Sequence, residues 1–136
     1  MTGNKLKVRV MTPERTLFDG EADMIIARTA DGDVGILPGH APLVTVLRPG
    51  VFHIKFPESE KRLAVHNGYL NVSHNVVTVL SETAEREDEI DVERARQARR
   101  RAEERLRRIQ LEKIDAARAQ VALERAISRL QAAGVE

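Results

Sequence analysis

The stretch Ile90-Asp91-Val92-Glu93-Arg94-Ala95 divides the chain into two kinds of sequence. Before it the residues are β-branched, punctuated by turns and sparsely charged. After it come Ala, Arg, Glu and Leu, with no Gly or Pro until Gly134. The apolar period changes there from two to about three and a half, which marks a passage from strands to helices. Asp91 stands where a helix beginning at Val92 needs an acceptor for its exposed backbone donors. The junction therefore reads as the boundary of two domains, residues 1–86 and 87–136. With arginines close behind Asp91, it also reads as part of an anion site.

Downstream of that start, Ala95, Ala98, Ala102, Leu106 and Ile109 recur at spacings of three and four, one apolar stripe on a helix. Ala116, Ala119, Leu123, Ala126, Leu130 and Ala133 repeat the pattern on a second helix. The break between them is expected at 110–115, with Asp115 as a second cap. Alanine favours helix but buries little area, whereas each fully buried Leu contributes roughly 1.5–3 kcal/mol. A seam built mostly of alanine is weak, and a few kcal/mol of ligand or partner binding could shift it.

Charge is unevenly spread. The chain of 136 residues has a formal net charge of +1, yet residues 94–129 carry twelve basic groups against five acidic ones. Arg94 and Arg101, seven apart, share a face of the first helix, and Arg125 and Arg129, four apart, share a face of the second. An antiparallel hairpin would return the end of the second helix beside the start of the first. Four guanidinium groups would then converge near a helix N-terminus, a setting suited to phosphate oxygens. A solvated face making ion pairs with Glu103, Glu104 and Glu124 is the plainer alternative.

Upstream, Leu6, Val8 and Val10 alternate with Lys7 and Arg9 as in a strand with one buried face. Met24–Ala27, Leu43–Leu47, Val51–Phe56, Arg62–His66, Tyr69–Val72 and Val76–Leu80 are further strands. Asp31-Gly32-Asp33 reads as a turn, 35–42 as a loop of fixed shape, and Asn67-Gly68 as a hairpin turn. Short strands so closely spaced imply a sandwich or a barrel rather than βαβ units. Enzymatic chemistry finds no support here. His40, His53, His66 and His74 lack metal-ligand spacing, Gly32-Asp33-Val34-Gly35 is no complete phosphate loop, and no serine occupies a nucleophile elbow. The chain has no Cys, and no apolar run approaches a membrane span. Any membrane association is expected through a partner.

Three segments together resemble one family, the epsilon subunits of bacterial F-type ATP synthases. They are Gly32-Asp33-Val34-Gly35-Ile36-Leu37-Pro38-Gly39-His40-Ala41-Pro42-Leu43, Asn67-Gly68-Tyr69-Leu70-Asn71-Val72 and Asn75-Val76-Val77-Thr78-Val79-Leu80. The resemblance implies an α+β chain of two domains: an N-terminal β-sandwich followed by a C-terminal antiparallel two-helix hairpin. It implies a non-catalytic rotor subunit of the central stalk, peripheral on the cytoplasmic face of the bacterial membrane. The sandwich would bind the gamma subunit and the c-ring, with Asp33 and His40 in the loop facing the ring. The helices would inhibit ATP hydrolysis when extended towards the alpha/beta catalytic head. Some relatives bind ATP in the folded hairpin through Ile/Leu-Asp-x-x-Arg-Ala, which stands intact at residues 90–95. By that resemblance Glu85, Ile90, Asp91 and Ala95 would surround base and ribose, and Arg94, Arg101, Arg125 and Arg129 the phosphates. ATP, with or without Mg²⁺, would be a regulatory ligand, with no metal site in the protein and no catalytic cofactor. A rotor subunit with a nucleotide-insensitive hairpin is one alternative. A basic RNA-binding hairpin is another, weakened by the absence of aromatic stacking residues.

Overall fold

The computed structural model describes the backbone at residues 5–112 and 116–135, and the side chains there except those of 109–112 and 116. Eight strands come first: β1 (Leu6–Met11), β2 (Thr16–Ala22), β3 (Met24–Thr29), β4 (Gly32–Ile36), β5 (Leu43–Leu47), β6 (Gly50–Lys55), β7 (Glu60–Ser73) and β8 (Val76–Arg86). A single 3-10 turn, Glu87–Glu89, leads to α1 (Val92–Glu112) and α2 (Ala116–Ala132). The strands pair in the order β2-β1-β8-β7-β5-β3-β4, and β6 joins β3 to β7. All pairings are antiparallel except that of β1 with β8. The α+β reading holds: a β-sandwich followed by a helical hairpin.

The sandwich has its own core. Leu6, Val8 and Val10 point inward, as their alternation requires, and meet Leu17, Ile25, Ile36, Leu47, Phe52, Ile54, Leu70, Val72, Val77 and Val79. Among the described residues, none from a helix belongs to this cluster. The sequence reading missed β2 and β4 and the second half of β8. β2 begins Thr-Leu-Phe-Asp-Gly-Glu, where charges and Gly20 blur the alternation on an edge strand. β8 runs beyond Leu80 through Ser81–Arg86, whose polar outward residues hide the buried Ser81 and Ala84.

Asn67-Gly68 is not a hairpin turn. β7 is a single strand of 14 residues, and Asn67 (φ 60°) with Gly68 (φ 145°) forms a kink inside it. Residues before the kink pair with β6 and residues after it with β5, so β7 belongs to both halves of the sandwich. Both backbones approach closely: a Cβ on Gly68 would lie 2.0 Å from the Leu80 carbonyl oxygen. The buried Ser81 hydroxyl fills the break, accepting from His66 N–H at 3.2 Å and donating to Thr83 O at 2.7 Å. Asn-Gly signals positive φ, and a kink supplies that as well as a turn does. The turn read at Asp31-Gly32-Asp33 falls one residue earlier, at Ala30-Asp31, and Gly32-Asp33-Val34-Gly35 lies within β4, with Arg28 and Asp33 directly opposed across β3–β4. Asp33 therefore sits on a strand, and His40 alone of the two lies in the following loop. That loop is tied down by Gly39 N–H donating to Asn75 Oδ1 at 2.7 Å.

Along β7, Leu63, Ala64, Val65 and His66 are buried consecutively. A strand with one solvent face would alternate; this one is covered twice. Leu63 and Val65 enter the core, while Ala64 packs with Ile90, Ala132, Val51 and Ala133 under the hairpin. α2 packs on β6 and β7. It ends on a glycine cap: Gly134 (φ 80°) lets Val135 N–H reach Leu130 O at 3.2 Å.

Candidate functional site

The linker between the domains is held from both sides. Arg15 on the β1–β2 turn donates to Glu89 at 2.6 and 2.9 Å, and Arg86 N–H donates to the same carboxylate at 2.9 Å. The Arg15 hydrogen bond, helped by that backbone donor, holds the Glu89 carboxyl down at about 2. Arg62 on β7 pairs with Glu87 at 3.0 Å. The chain thus leaves the sandwich in a set direction, and Ile90 is buried as it does so.

Asp91 then begins the helix as its position suggested. Its Oδ1 accepts from Arg94 N–H at 3.1 Å, and its carbonyl accepts from Ala95 N–H at 3.0 Å. Asp91→Ala should weaken the hairpin by about 1 kcal/mol. Faster amide exchange at Arg94 and Ala95, with the sandwich unchanged, would report it.

The alanine seam forms between α1 and α2. Ala95, Ala102, Ala119, Ala126 and Leu130 are buried, and Ala98, Leu106, Leu123 and Ala133 are half-buried. Of the break expected at 110–115, residues 110–112 belong to α1, while 113–115 with the Asp115 cap, and the side chains of Ile109 and Ala116, lie outside the described residues. α2 has a second buried side unmarked in the sequence reading. Ser128 and Ala132, four residues apart, face the sandwich instead of α1. Their small size is the only local signal, and it is lost in a helix already rich in alanine.

Of the eight residues expected at the site, beyond the Asp91 cap on Arg94 and Ala95, the structure joins one pair through their side chains. Arg129 Nε lies 2.8 Å from Glu85 Oε1, with the arginine side chain only 17% exposed. Ile90 and Ala95 are buried, and Asp91 is engaged as a cap. Arg94, Arg101 and Arg125 are exposed. Four residues beyond Arg101 on the same face, Arg105 lines a hollow of about 390 Å³ together with Arg118, Val121 and Arg125 of α2. The arginine faces of the two helices thus border one groove with an apolar floor. Elsewhere on α1, Arg100 pairs with Glu93 at 3.2 Å and Arg108 with Glu104 at 3.4 Å, which fits a solvated face.

A residue the sequence reading passed over sits at the centre of the domain contact. His66, 6% exposed, accepts at Nδ1 from Thr83 Oγ1 (3.1 Å) and donates from Nε2 to Ser128 Oγ (3.2 Å). The Ser128 hydroxyl proton goes to Arg125 O at 2.8 Å, so its oxygen accepts from Nε2–H. Burial first, and then Arg125 and Arg129, push the imidazole down to about 4. No sequence signal separates His66 from the other three histidines.

Among the described residues, no helix is long and apolar enough to cross a membrane. Comparison with known proteins places the whole arrangement. Residues 5–87 match the family model for the ATP synthase delta/epsilon chain beta-sandwich domain, and residues 88–134 that for its long alpha-helix domain. The ATP synthase epsilon chain of Desulforamulus reducens is 45% identical over 127 residues, 93% of this chain and 96% of the relative. That of Moorella thermoacetica is 48% identical over 130 residues, 95% of this chain and 96% of the relative. A chain in the Euglena gracilis mitochondrial ATP synthase structure has the same fold, with a TM-score of 0.79 at 22% identity, covering 96% of this chain and 81% of its own. Two domain models covering the chain and full-length similarity to epsilon chains lead to one conclusion: this chain belongs to the delta/epsilon chain family of ATP synthases.

Proposed function

We propose that the chain is a non-catalytic central-stalk subunit of a bacterial F-type ATP synthase, and that its hairpin inhibits ATP hydrolysis when it leaves the sandwich. The sandwich carries the stable fold and joins the gamma subunit and the c-ring, and so meets the membrane only through partners. The hairpin, held by alanines and a few polar contacts, is the movable part. Undocked, its basic helices are complementary to acidic surfaces of a catalytic head.

ATP is the ligand proposed to favour the docked form. The supporting observation is the groove lined by Arg105 of α1 and by Arg118 and Arg125 of α2, with Arg94 and Arg101 on the same helix face as Arg105. Guanidinium groups from both helices suit a polyphosphate, and bridging them would close the seam. Arg129 enters with a condition: it reaches a phosphate only by giving up Glu85, so the ligand must displace that carboxylate or leave the pair intact.

Titration of the full-length protein with ATP, with and without Mg²⁺ and read by amide NMR, tests this. Saturable binding should shift residues on both helices, and Arg94→Ala should weaken it about ten- to a hundredfold, the loss of one charged hydrogen-bonding group. Absence of saturable binding would leave a rotor subunit with a nucleotide-insensitive hairpin. Binding undiminished in Arg94→Ala would remove the assigned site.

A further inference from the structure

The contact between α2 and the sandwich is polar at its centre, which is unusual for a surface that must hold two domains together. His66 stands on the inner edge of the β7 kink, where the ladder to β8 is interrupted and Ser81 satisfies the freed His66 N–H. Its ring is clamped between Thr83 of β8 and Ser128 of α2. The chain Thr83 Oγ1–H to Nδ1, Nε2–H to Ser128 Oγ, and Ser128 Oγ–H to Arg125 O uses every proton of a neutral imidazole in one direction. A second proton on Nδ1 would turn the Thr83 hydroxyl from donor to acceptor and add a charge in a buried contact already bordered by two arginines.

We propose that His66 and Ser128 form an acid-sensitive latch: the hairpin docks on the sandwich only while His66 is uncharged, and proton uptake by His66 releases it. The groups facing the ring set the direction. From α2 come Arg125 and Arg129, both positive; from β8 come Thr83 and Glu85, and Glu85 is engaged by Arg129 at 2.8 Å. β6, which also packs against α2, contributes His53, paired with Glu60 at 3.5 Å and lining a separate hollow with Gln131. His66 is held at about 4 in the docked form, against an ordinary value of 6.5 once α2 leaves. A lowered value in the docked state means the contribution of neutral His66 to docking is present above 6.5 and is lost as pH falls from there towards 4. The docking equilibrium should drop about tenfold between pH 8 and pH 5.5, and about fourfold by pH 6. Glu89, held at about 2, stays charged through this window, so the linker does not loosen with the latch. Acid would therefore favour the inhibitory arrangement; that consequence rests on the function proposed above, whereas the latch does not.

Amide-exchange protection of α2 around Ser128, corrected for intrinsic rates, reads the docking equilibrium in the full-length protein without nucleotide. Wild type should lose about tenfold protection between pH 8 and 5.5, while β7 and β8 amides keep theirs. His66→Gln retains a donor but no titration, and should be flat within about twofold; His53→Gln should behave as wild type. A flat wild type, an equal loss in His66→Gln, or abolition of the loss by His53→Gln would overturn the latch. The His66 ring resonances decide independently of any variant. In the docked protein they should not titrate near 6.5, and titration there with α2 still protected would also overturn it.

Discussion

Gly68→Ala should lower the melting temperature by roughly 10 °C or more, the largest stability effect expected from one methyl group in this chain. Two costs add. Alanine at φ 145° adopts a conformation that side chains avoid, worth about 1–3 kcal/mol. The new Cβ would also start 2.0 Å from Leu80 O and 2.8 Å from Ser81 Cα, both backbone atoms that cannot swing aside. Relief requires β7 and β8 to separate at the kink, which disturbs the Ser81 hydrogen bonds and the His66 ring above them. Overpacking of this kind costs a further 1–3 kcal/mol or so. Gly39→Ala is the control: its φ is 87°, but nothing lies within 4 Å of the added carbon. It should cost only about 1 kcal/mol. If the two variants melted together, the kink would not be the tight point described here.

Ending the chain after Glu89 should leave a folded sandwich with a cooperative thermal transition and abolish hairpin-dependent inhibition of ATP hydrolysis in an assembled complex. Among the described residues the sandwich core contains no helix residue, so truncation removes the small cluster of Ile90 and Ala132 on Ala64, the His66–Ser128 contact and the Arg129–Glu85 pair. Ile90 is the one large aliphatic lost, worth about 1.5–3 kcal/mol when fully buried. The cut is placed after Glu89 because its ties to Arg15 and Arg86 belong to the sandwich. Far-UV circular dichroism and a melt of the truncated chain test the first part, and ATPase activity of the reconstituted complex the second. A truncated chain that unfolds would show that the hairpin is part of the stable fold. Unchanged inhibition would take that role away from the helices.

Much of the fold was legible along the chain. The period change at residues 90–95, the Asp91 cap and the alanine seam are local facts: a helix records its buried stripe every three or four residues. Alternation placed β1 and the outlines of β5, β6 and the last two strands for the same reason. The misses have local causes too. Asn67-Gly68 encodes positive φ, which a kink and a hairpin share, and only the partners of β7 on either side distinguish them. Gly32–Gly35 looks like a turn but is an edge strand, where glycines cost little.

For the candidate site, which arginines share a helix face was readable but their pairing was not. Helical spacing puts Arg94 with Arg101 and Arg125 with Arg129, because distance along a helix follows from sequence separation. Which arginine meets which carboxylate depends on how α2 lies on the sandwich, and that choice engages Arg129 with Glu85 while leaving Arg125 exposed. His66 is the clearest case. Its neighbours in sequence announce a strand, and nothing near it announces Ser128, 62 positions away. The sequence by itself determined the two domains, the helix start at residues 90–95 and the row of arginines behind it, since each is a matter of local period and backbone preference. The tertiary structure alone decided that Asn67-Gly68 bends a strand, that Glu85 neutralises Arg129, and that a buried histidine carries the contact between the domains. Burial and long-range pairing arise only when separate elements pack.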